Sequence, residues 1–352
     1  MSTAELPIAK NSQARAIPKK QIDWAPLALL PIIVVLGFPL IGYFGSWDSA
    51  FSTWIGLTFA ALAMGMIYFI IASGLTLIFG LMDVLNFGHG LFIAFGAFVA
   101  WTVLGLGPIQ SMMIADNLFS NIGALLLAML AAMVATGILG WIFEKVLIRR
   151  VYGLHLMQIL ITMGGMVVGE ELIKVFWGPE QKPMLLPTAL NGSVLLGDAV
   201  VEKFRLFAVV IGLIVFGVLM LVLNRTKVGL LIRAGVQDRE MVESLGYRIK
   251  TLFIGVFITG AALAGLGGMM WGLYNQGIVP QLGAGVNTLV FIVIIIGGLG
   301  STGGSFLAAL LVSLVNTYTN YAIPKVALVS TILLMVVILA WRPNGLYKVT
   351  NR

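Results

Sequence analysis

Three polar side chains interrupt a long apolar stretch near the start of the sequence. Asp83, Asn86 and His89 fall within GLTLIFGLMDVLNFGHG (Gly74–Gly90), between the apolar runs 51–71 and 91–106. A carboxylate, an amide and an imidazole can hydrogen-bond a polar solute, whereas unpaired polar groups in hydrocarbon cost several kcal/mol each. Ionisable groups inside a membrane span therefore mark solute pathways or paired contacts by default. The alternative is that Asp83 lies at an interface and caps the following helix.

A second interruption occurs near the end of the chain. The run VFIVIIIGGLGSTGGSFLAALLVSLV is broken at 297–304 by paired glycines and by Ser301 and Thr302. Non-helical backbone at membrane depth persists only where protein or a wet cavity covers it. We expect both interruptions to be unwound segments facing a solute pathway, and to be equivalent positions of an inverted repeat. The candidate pathway residues are Asp83, Asn86, Gly88, His89, Gly297, Gly298, Gly303 and Gly304.

Other residue patterns restrict the chemistry. The sequence has no cysteine and two histidines, His89 and His155, and it offers no convincing nucleophile or metal cluster. No G-x-x-x-x-G-K-[ST] stretch is present to hold nucleotide phosphates. We therefore expect no cofactor and no enzymatic activity. Glu170, Glu171 and Lys174 have spacings of three and four, which favour a local ion pair, with a contact to a substrate or external partner as the alternative.

The segment RAGVQDREMVESLG (233–246) has the pattern of a short amphipathic helix. Acidic residues alternate with Arg239, while Met241, Val242 and Leu245 supply an apolar side and Gly246 a stop. Such a helix can dock into a groove of a partner; the alternative is an ordinary solvated loop. The candidate coupling residues are Arg233, Ala234, Asp238, Arg239, Glu240, Glu243, Leu245 and Gly246.

The elements that must position these residues are transmembrane helices. Hydrophobic residues make up 60% of the 352 residues and charged ones 10%, which indicates an all-α polytopic membrane protein. We predict about ten spans, or eight to nine if 288–319 is re-entrant. They lie at 25–45, 52–72, 73–106 (broken), 120–143, 155–177, 206–223, 252–274, 288–319 (interrupted, and counted as two) and 326–341. Pro31 and Pro39 should kink or shorten the first.

The distribution of basic residues predicts the orientation. Of the 21 Lys and Arg, 16 fall in the stretches 1–24, 144–154, 224–251 and 342–352. By the positive-inside rule these stretches are cytoplasmic, so the net charge of +7 reflects topology and not nucleic-acid binding. The domains are then a cytoplasmic tail (1–24), a membrane domain (25–341, with a coupling loop at 224–251) and a second tail (342–352). The polar stretch 178–205 is an external loop.

Several motifs in order resemble the permease subunits of bacterial ABC importers for branched-chain amino acids. The resemblance covers residues 50–347. It rests on Gly74–Gly90, on the basic loop Glu144–Tyr152, on F-x-G-P-E at Phe176–Glu180, on the segment 233–246, on GGLGSTGGS and on RPNGL. Gly88 stands where the family commonly has alanine.

That resemblance implies an importer in the bacterial inner membrane. A periplasmic binding protein delivers solute, a second permease subunit completes a heterodimer, and cytoplasmic ATP-binding subunits dock on residues 233–246. Asp83, Asn86 and His89 are implied at or beside the path, although for His89 a helix-stabilising hydrogen bond is favoured. A secondary transporter or channel is the alternative. The choice among branched-chain amino acids, urea, amides and other small acids stays open.

Overall fold

A computed structural model describes residues 25–237 and 239–347, and this part of the chain is mainly helical. In chain order its helices are α1 (Ala25–Phe44), α2 (Ala50–Met82), α3 (His89–Leu104), α4 (Gly107–Ile114), α5 (Leu118–Val146), α6 (His155–Trp177), α7 (Lys203–Arg225), α8 (Lys227–Gln237), α9 (Arg239–Ser244), α10 (Ile249–Asn275), α11 (Leu282–Gly297), α12 (Thr302–Ala322) and α13 (Ala327–Trp341). The expected tail 1–24, residues 348–352 of the second tail, and Asp238 lie outside the described residues.

Short strands join the loops at one end of the bundle. Strand β1 (Lys182–Pro183) pairs antiparallel with β4 (Gly277–Ile278), and β2 (Ser193–Leu196) forms a hairpin with β3 (Ala199–Glu202). We call this end, with residues 178–202, the loop end. The opposite end carries 144–154, 224–251 and 342–347, and we call it the basic end.

The polytopic helical fold is confirmed. Within the described residues, five helical stretches are long and apolar enough to cross a membrane, namely those containing α1, α2, α5, α7 and α10. The pair α3 and α4 is bent by 82°, and α11 and residues 329–341 are shorter apolar helices. If each short helix is counted with its adjoining loop as one passage, the described residues run between the two ends ten times.

The first three spans differ from the prediction. Helix α1 continues through Pro31 and Pro39. Helix α2 has 33 residues and does not end near residue 72, so the non-helical segment shrinks to 83–88. Gly74 lies within α2, and its lack of a side chain lets the backbone of α2 contact Gly260 of α10 directly. These glycines therefore serve close packing and do not break a helix.

The two most buried spans form the centre of the bundle. Over their most apolar windows, α2 is 61% and α10 67% buried, against 17% for α1 and for α7. The two helices run antiparallel, since Ile71 packs on Gly267 and Ile78 packs on Gly260. Their antiparallel arrangement gives the fold its internal symmetry.

The second half of the chain repeats the first in inverted orientation, with a shift of 193 residues. Asp83 ends α2 at φ 55° and Gln276 ends α10 at φ 53°, and they are the non-glycine residues of the described chain with positive φ. Each begins a short connection, 83–88 or 276–281, and a 16-residue helix follows in both halves. The predicted inverted repeat is present, but the counterpart of 83–88 is 276–281. The predicted pairing with 297–304 is wrong.

A candidate translocation site

The chain reverses direction after Asp83, and α3 begins beside the middle of α2. The Asp83 amide donates to the carbonyl of Phe79, 3.0 Å away, which closes the last turn of α2. Six residues later, His89 Nε2 lies 3.1 Å from the carbonyl oxygen of Ile71. Ile71 precedes Asp83 by twelve residues, or about 18 Å of helix. Helix α3 therefore begins deep inside the bundle, whereas Asp83 lies towards its basic end.

Asp83 is not the N-cap residue of the helix that follows it. That residue is Gly88, which has no side chain to cap α3. Asp83 is half-buried and is the C-cap residue of α2, in the left-handed conformation, which aspartate tolerates better than most residues. Its position at a helix end, and not at mid-depth, explains how the chain accommodates the carboxylate.

His89 is completely buried and holds α3 against α2. A carbonyl only accepts hydrogen bonds, so Nε2 carries the proton and donates to Ile71. The other ring nitrogen, Nδ1, has no protein partner. The geometry matches the interpretation of His89 as a helix-stabilising residue.

Asn86 is a buried amide in the segment that joins α2 to α3. Its side chain is fully buried, and neither amide atom has a protein partner. The neighbouring Phe87 is held on both sides: its amide donates to Thr162 Oγ1 (3.2 Å), and its carbonyl accepts from Asn287 Nδ2 (3.0 Å). A Cβ at Gly88 would lie 2.6 Å from the Phe143 ring, so a larger residue there would have to displace that ring. Segment 83–88 is thereby clamped between α6 and α11.

The starts of α3 and α11 meet at two equivalent glycines. A Cβ at Gly90 would lie 2.8 Å from the Gly283 carbonyl oxygen, so the backbones are in direct contact. Two helix N-termini place partial positive charge at this point. The space beside them is about 10 Å³, room for about one water. Met166, Glu170 and Pro280 contribute to its lining. An amino acid does not fit there in this conformation.

The glycines at 297–304 form a turn at the basic end. Gly297 and Gly304 let α11 and α12 touch backbone to backbone, and Gly298 (φ 97°) packs on the Tyr347 carbonyl. The amide of Leu346 donates to the Ile296 carbonyl at 2.8 Å. The apolar run is interrupted at 298–301, within the predicted break, and the interruption separates two complete helices, α11 and α12. Gly303 faces open space.

The coupling segment is helical on both sides of Asp238. Helix α8 covers its first residues, up to Gln237, and α9 covers Arg239–Ser244, with Gly246 at φ 86° as the expected stop. Arg233 and Glu243 are exposed, and Ala234 is half-buried. The predicted apolar side is divided, since Val242 is 2% exposed while Met241 and Leu245 are 52% and 68% exposed. The side chains of Arg239 and Glu240 lie outside the described residues.

Both the coupling segment and the glycine turn contact the end of α2. A Cβ at Gly235 would lie 3.2 Å from Leu81, and a Cβ at Gly80 would lie 3.1 Å from Gly300. These contacts bring Asp83 and the glycine turn to the same end of the bundle as residues 233–246. Asn86, Gly88 and His89 lie deeper, so the predicted site is two groups and not one.

Several buried polar residues were not identified from the sequence. Glu144, expected in a basic cytoplasmic loop, is 1% exposed and accepts a 2.6 Å hydrogen bond from Tyr152. Thr162 and Gln158 on α6 are also buried, as is Asn287 on α11. The 193-residue repeat could have indicated that α11 contributes to this site, because it relates Gly90 of α3 to Gly283 of α11. Near the loop end, Lys174 pairs with Glu170 (3.1 Å) and Glu171 (2.7 Å), as the local ion-pair interpretation predicts.

An inverted repeat whose two short helices, α3 and α11, meet inside a helical bundle is typical of membrane transport proteins. The family described as "Branched-chain amino acid transport system / permease component" matches residues 57–341. The chain belongs to this family, whose members are transport permeases and not enzymes.

Named relatives cover most of the chain. The high-affinity branched-chain amino acid transport system permease protein BraD of Pseudomonas aeruginosa is 26% identical over 297 residues, which span 81% of this chain and 92% of BraD. The Escherichia coli K12 permease protein LivH is 24% identical, over 82% of this chain and 93% of LivH. A probable branched-chain amino acid permease protein LivH of Methanocaldococcus jannaschii is 26% identical, over 72% and 76%. No solved structure matches significantly.

Proposed function

We propose that this protein is the permease subunit of an ATP-driven ABC importer for branched-chain amino acids or related small solutes. The observation that carries the proposal is its similarity to named high-affinity branched-chain amino acid permeases over about four-fifths of its length. A periplasmic binding protein supplies the solute, and separate ATP-binding subunits supply the energy. The protein then lies in the bacterial inner membrane, with both termini and the basic end cytoplasmic.

The solute path runs between this subunit and a second permease subunit. Two features support this placement: the point where α3 and α11 meet is closed, and α6 leaves most of its surface uncovered while carrying Glu170, Glu171 and Lys174. Charged groups in a span normally face a protein interface or a wet cavity. Helix α6 forms the wall of the path. Gly88 lies directly behind it, against Thr162, with Asn86 and His89 next to Gly88 in the chain.

The ATP-binding subunit docks on α8 and α9. Arg233, Glu243, Met241 and Leu245 present a mixed charged and apolar surface at the basic end. Movement of this surface reaches α2 through the Gly235–Leu81 contact. Asp83 and the glycine turn at 297–304 lie near this contact between α8 and α2. They transmit the movement to α3, α11 and α12.

Reconstitution tests the proposal. Proteoliposomes that contain this chain, a second permease subunit, the ATP-binding subunits and the binding protein should accumulate labelled leucine only when ATP is present. Omission of the ATP-binding subunits should abolish uptake. Uptake by this chain alone, driven by an ion gradient, would instead identify a secondary transporter.

A further inference from the structure

An apolar groove runs along the outer surface between α5 and α10, and the proposed transport function does not use it. Its volume is about 490 Å³. Helix α5 contributes one wall, and Ile258 and Ala262 of α10 contribute the other. The α5 residues lining the groove recur at helical spacing and are Leu130, Met133, Val134, Gly137, Ile138 and Trp141.

The groove ends at a basic residue on the same stripe of α5. Lys145 follows Trp141 by one helical turn, and its Nζ lies 4.9 Å from the centre of the Trp141 ring. Arg149 and Arg150 follow at the basic end, and all three basic side chains are exposed. Tryptophan and lysine at the end of an apolar helix face are typical of the membrane–water interface.

The dimensions of the groove match one leaflet of a bilayer. Leu130 and Trp141 are eleven residues apart, or about 16 Å along a helix. A bilayer has a hydrocarbon core of about 30 Å, so one leaflet is about half of that. The groove thus extends from mid-depth to the interface, and Lys145 lies about 6 Å further, at headgroup depth.

We propose that this groove binds one phospholipid with an anionic headgroup. An acyl chain lies along Leu130, Val134 and Ile138, over the opening that Gly137 leaves. The headgroup phosphate contacts Lys145 at the basic end. Basic pockets between transmembrane helices are suited to anionic lipid headgroups.

Native mass spectrometry of the purified full-length chain tests the site. The protein is titrated in detergent with phosphatidylglycerol or with phosphatidylcholine of the same acyl chains. We expect one saturable phosphatidylglycerol, bound about fivefold more tightly than phosphatidylcholine through one lysine. Equal retention of both lipids would overturn the proposal.

Two variants separate the chain site from the headgroup site. Gly137→Leu fills the groove and should reduce binding of both lipids, whereas Lys145→Glu should abolish the preference for phosphatidylglycerol. The matched controls are Gly217→Leu, at an exposed α7 glycine with nothing nearby, and Arg225→Glu, at the basic end of α7. Both controls should bind lipid as the unmodified protein does.

Two further outcomes would contradict the assignment. Retention of the lipid by Gly137→Leu at the unmodified level would place the lipid elsewhere. Loss of the lipid when the second permease subunit is bound, with recovery on dissociation, would identify the groove as a subunit interface.

Discussion

The two histidines of the chain have opposite environments, which makes them a natural pair for a test. His89 is fully buried and donates to the Ile71 carbonyl, whereas His155 is exposed at the start of α6. We expect His89→Ala to lower stability by about 1–3 kcal/mol, because a buried carbonyl loses its donor. His155→Ala should change it by less than about 0.5 kcal/mol. Thermal unfolding in detergent measures both, and equal melting temperatures would refute the structural role of His89.

Individual polar residues were predictable, but their depths were not. The sequence identifies Asp83, Asn86 and His89 as unusual because charged and amide groups are rare in apolar runs. It cannot show that Asp83 lies about 18 Å along α2 from the level of His89, since that depends on the chain turning back. Glu144 was misplaced for a related reason: its burial depends on Tyr152, which lies eight residues away around a loop.

At the scale of elements, the contact between α3 and α11 is sensitive to a single methyl group. Gly283→Ala puts a Cβ into the Gly90 backbone and should destabilise the protein by about 1–3 kcal/mol or more. Gly285→Ala, two residues later in α11, meets nothing within 4 Å and should stabilise the helix by up to about 1 kcal/mol. Thermal unfolding of the pair is the measurement. A similar decrease in both variants would show that the backbone contact is unimportant.

The glycine turn offers one position that tests the prediction from the sequence that it lies beside the path. Gly303→Trp should preserve thermal stability because the position faces open space, and it should reduce uptake if solute passes there. Gly298 is unsuitable, since φ 97° and contact with Tyr347 would disturb folding as well. Gly217→Trp on α7 is the control for bulk. Normal uptake with Gly303→Trp would remove the turn from the path.

Helices were easier to predict than their ends. Most spans agree with the apolar runs within a few residues, because a helix that crosses a bilayer must satisfy its backbone internally. The errors occur at glycines. At Gly74 and Gly297, glycine permits a close approach between helices, and the partner backbone lies far away in sequence. Glycine alone does not distinguish such a packing position from a break.

For the whole molecule, the main prediction concerns coupling between the basic end and the transport cycle. Glu243→Lys reverses an exposed charge on α9 and should lower both ATP-dependent uptake and stimulated ATPase activity, while membrane insertion is unchanged. Asp198→Lys makes the same reversal at the loop end and should leave ATPase stimulation intact. Proteoliposome uptake and phosphate release measure the effects. Unchanged activity of Glu243→Lys would exclude this residue from docking.

The contact between Gly90 and Gly283 has a mechanical consequence, because it relates equivalent residues of the two inverted halves. Such a contact lies on the pseudo-two-fold axis, and points on an axis stay in place when the halves counter-rotate. We therefore expect α3 and α11 to tilt about the Gly90–Gly283 contact when the two halves move. A tilt that separates the elements around these helices on one side of the membrane would bring the elements on the other side closer together.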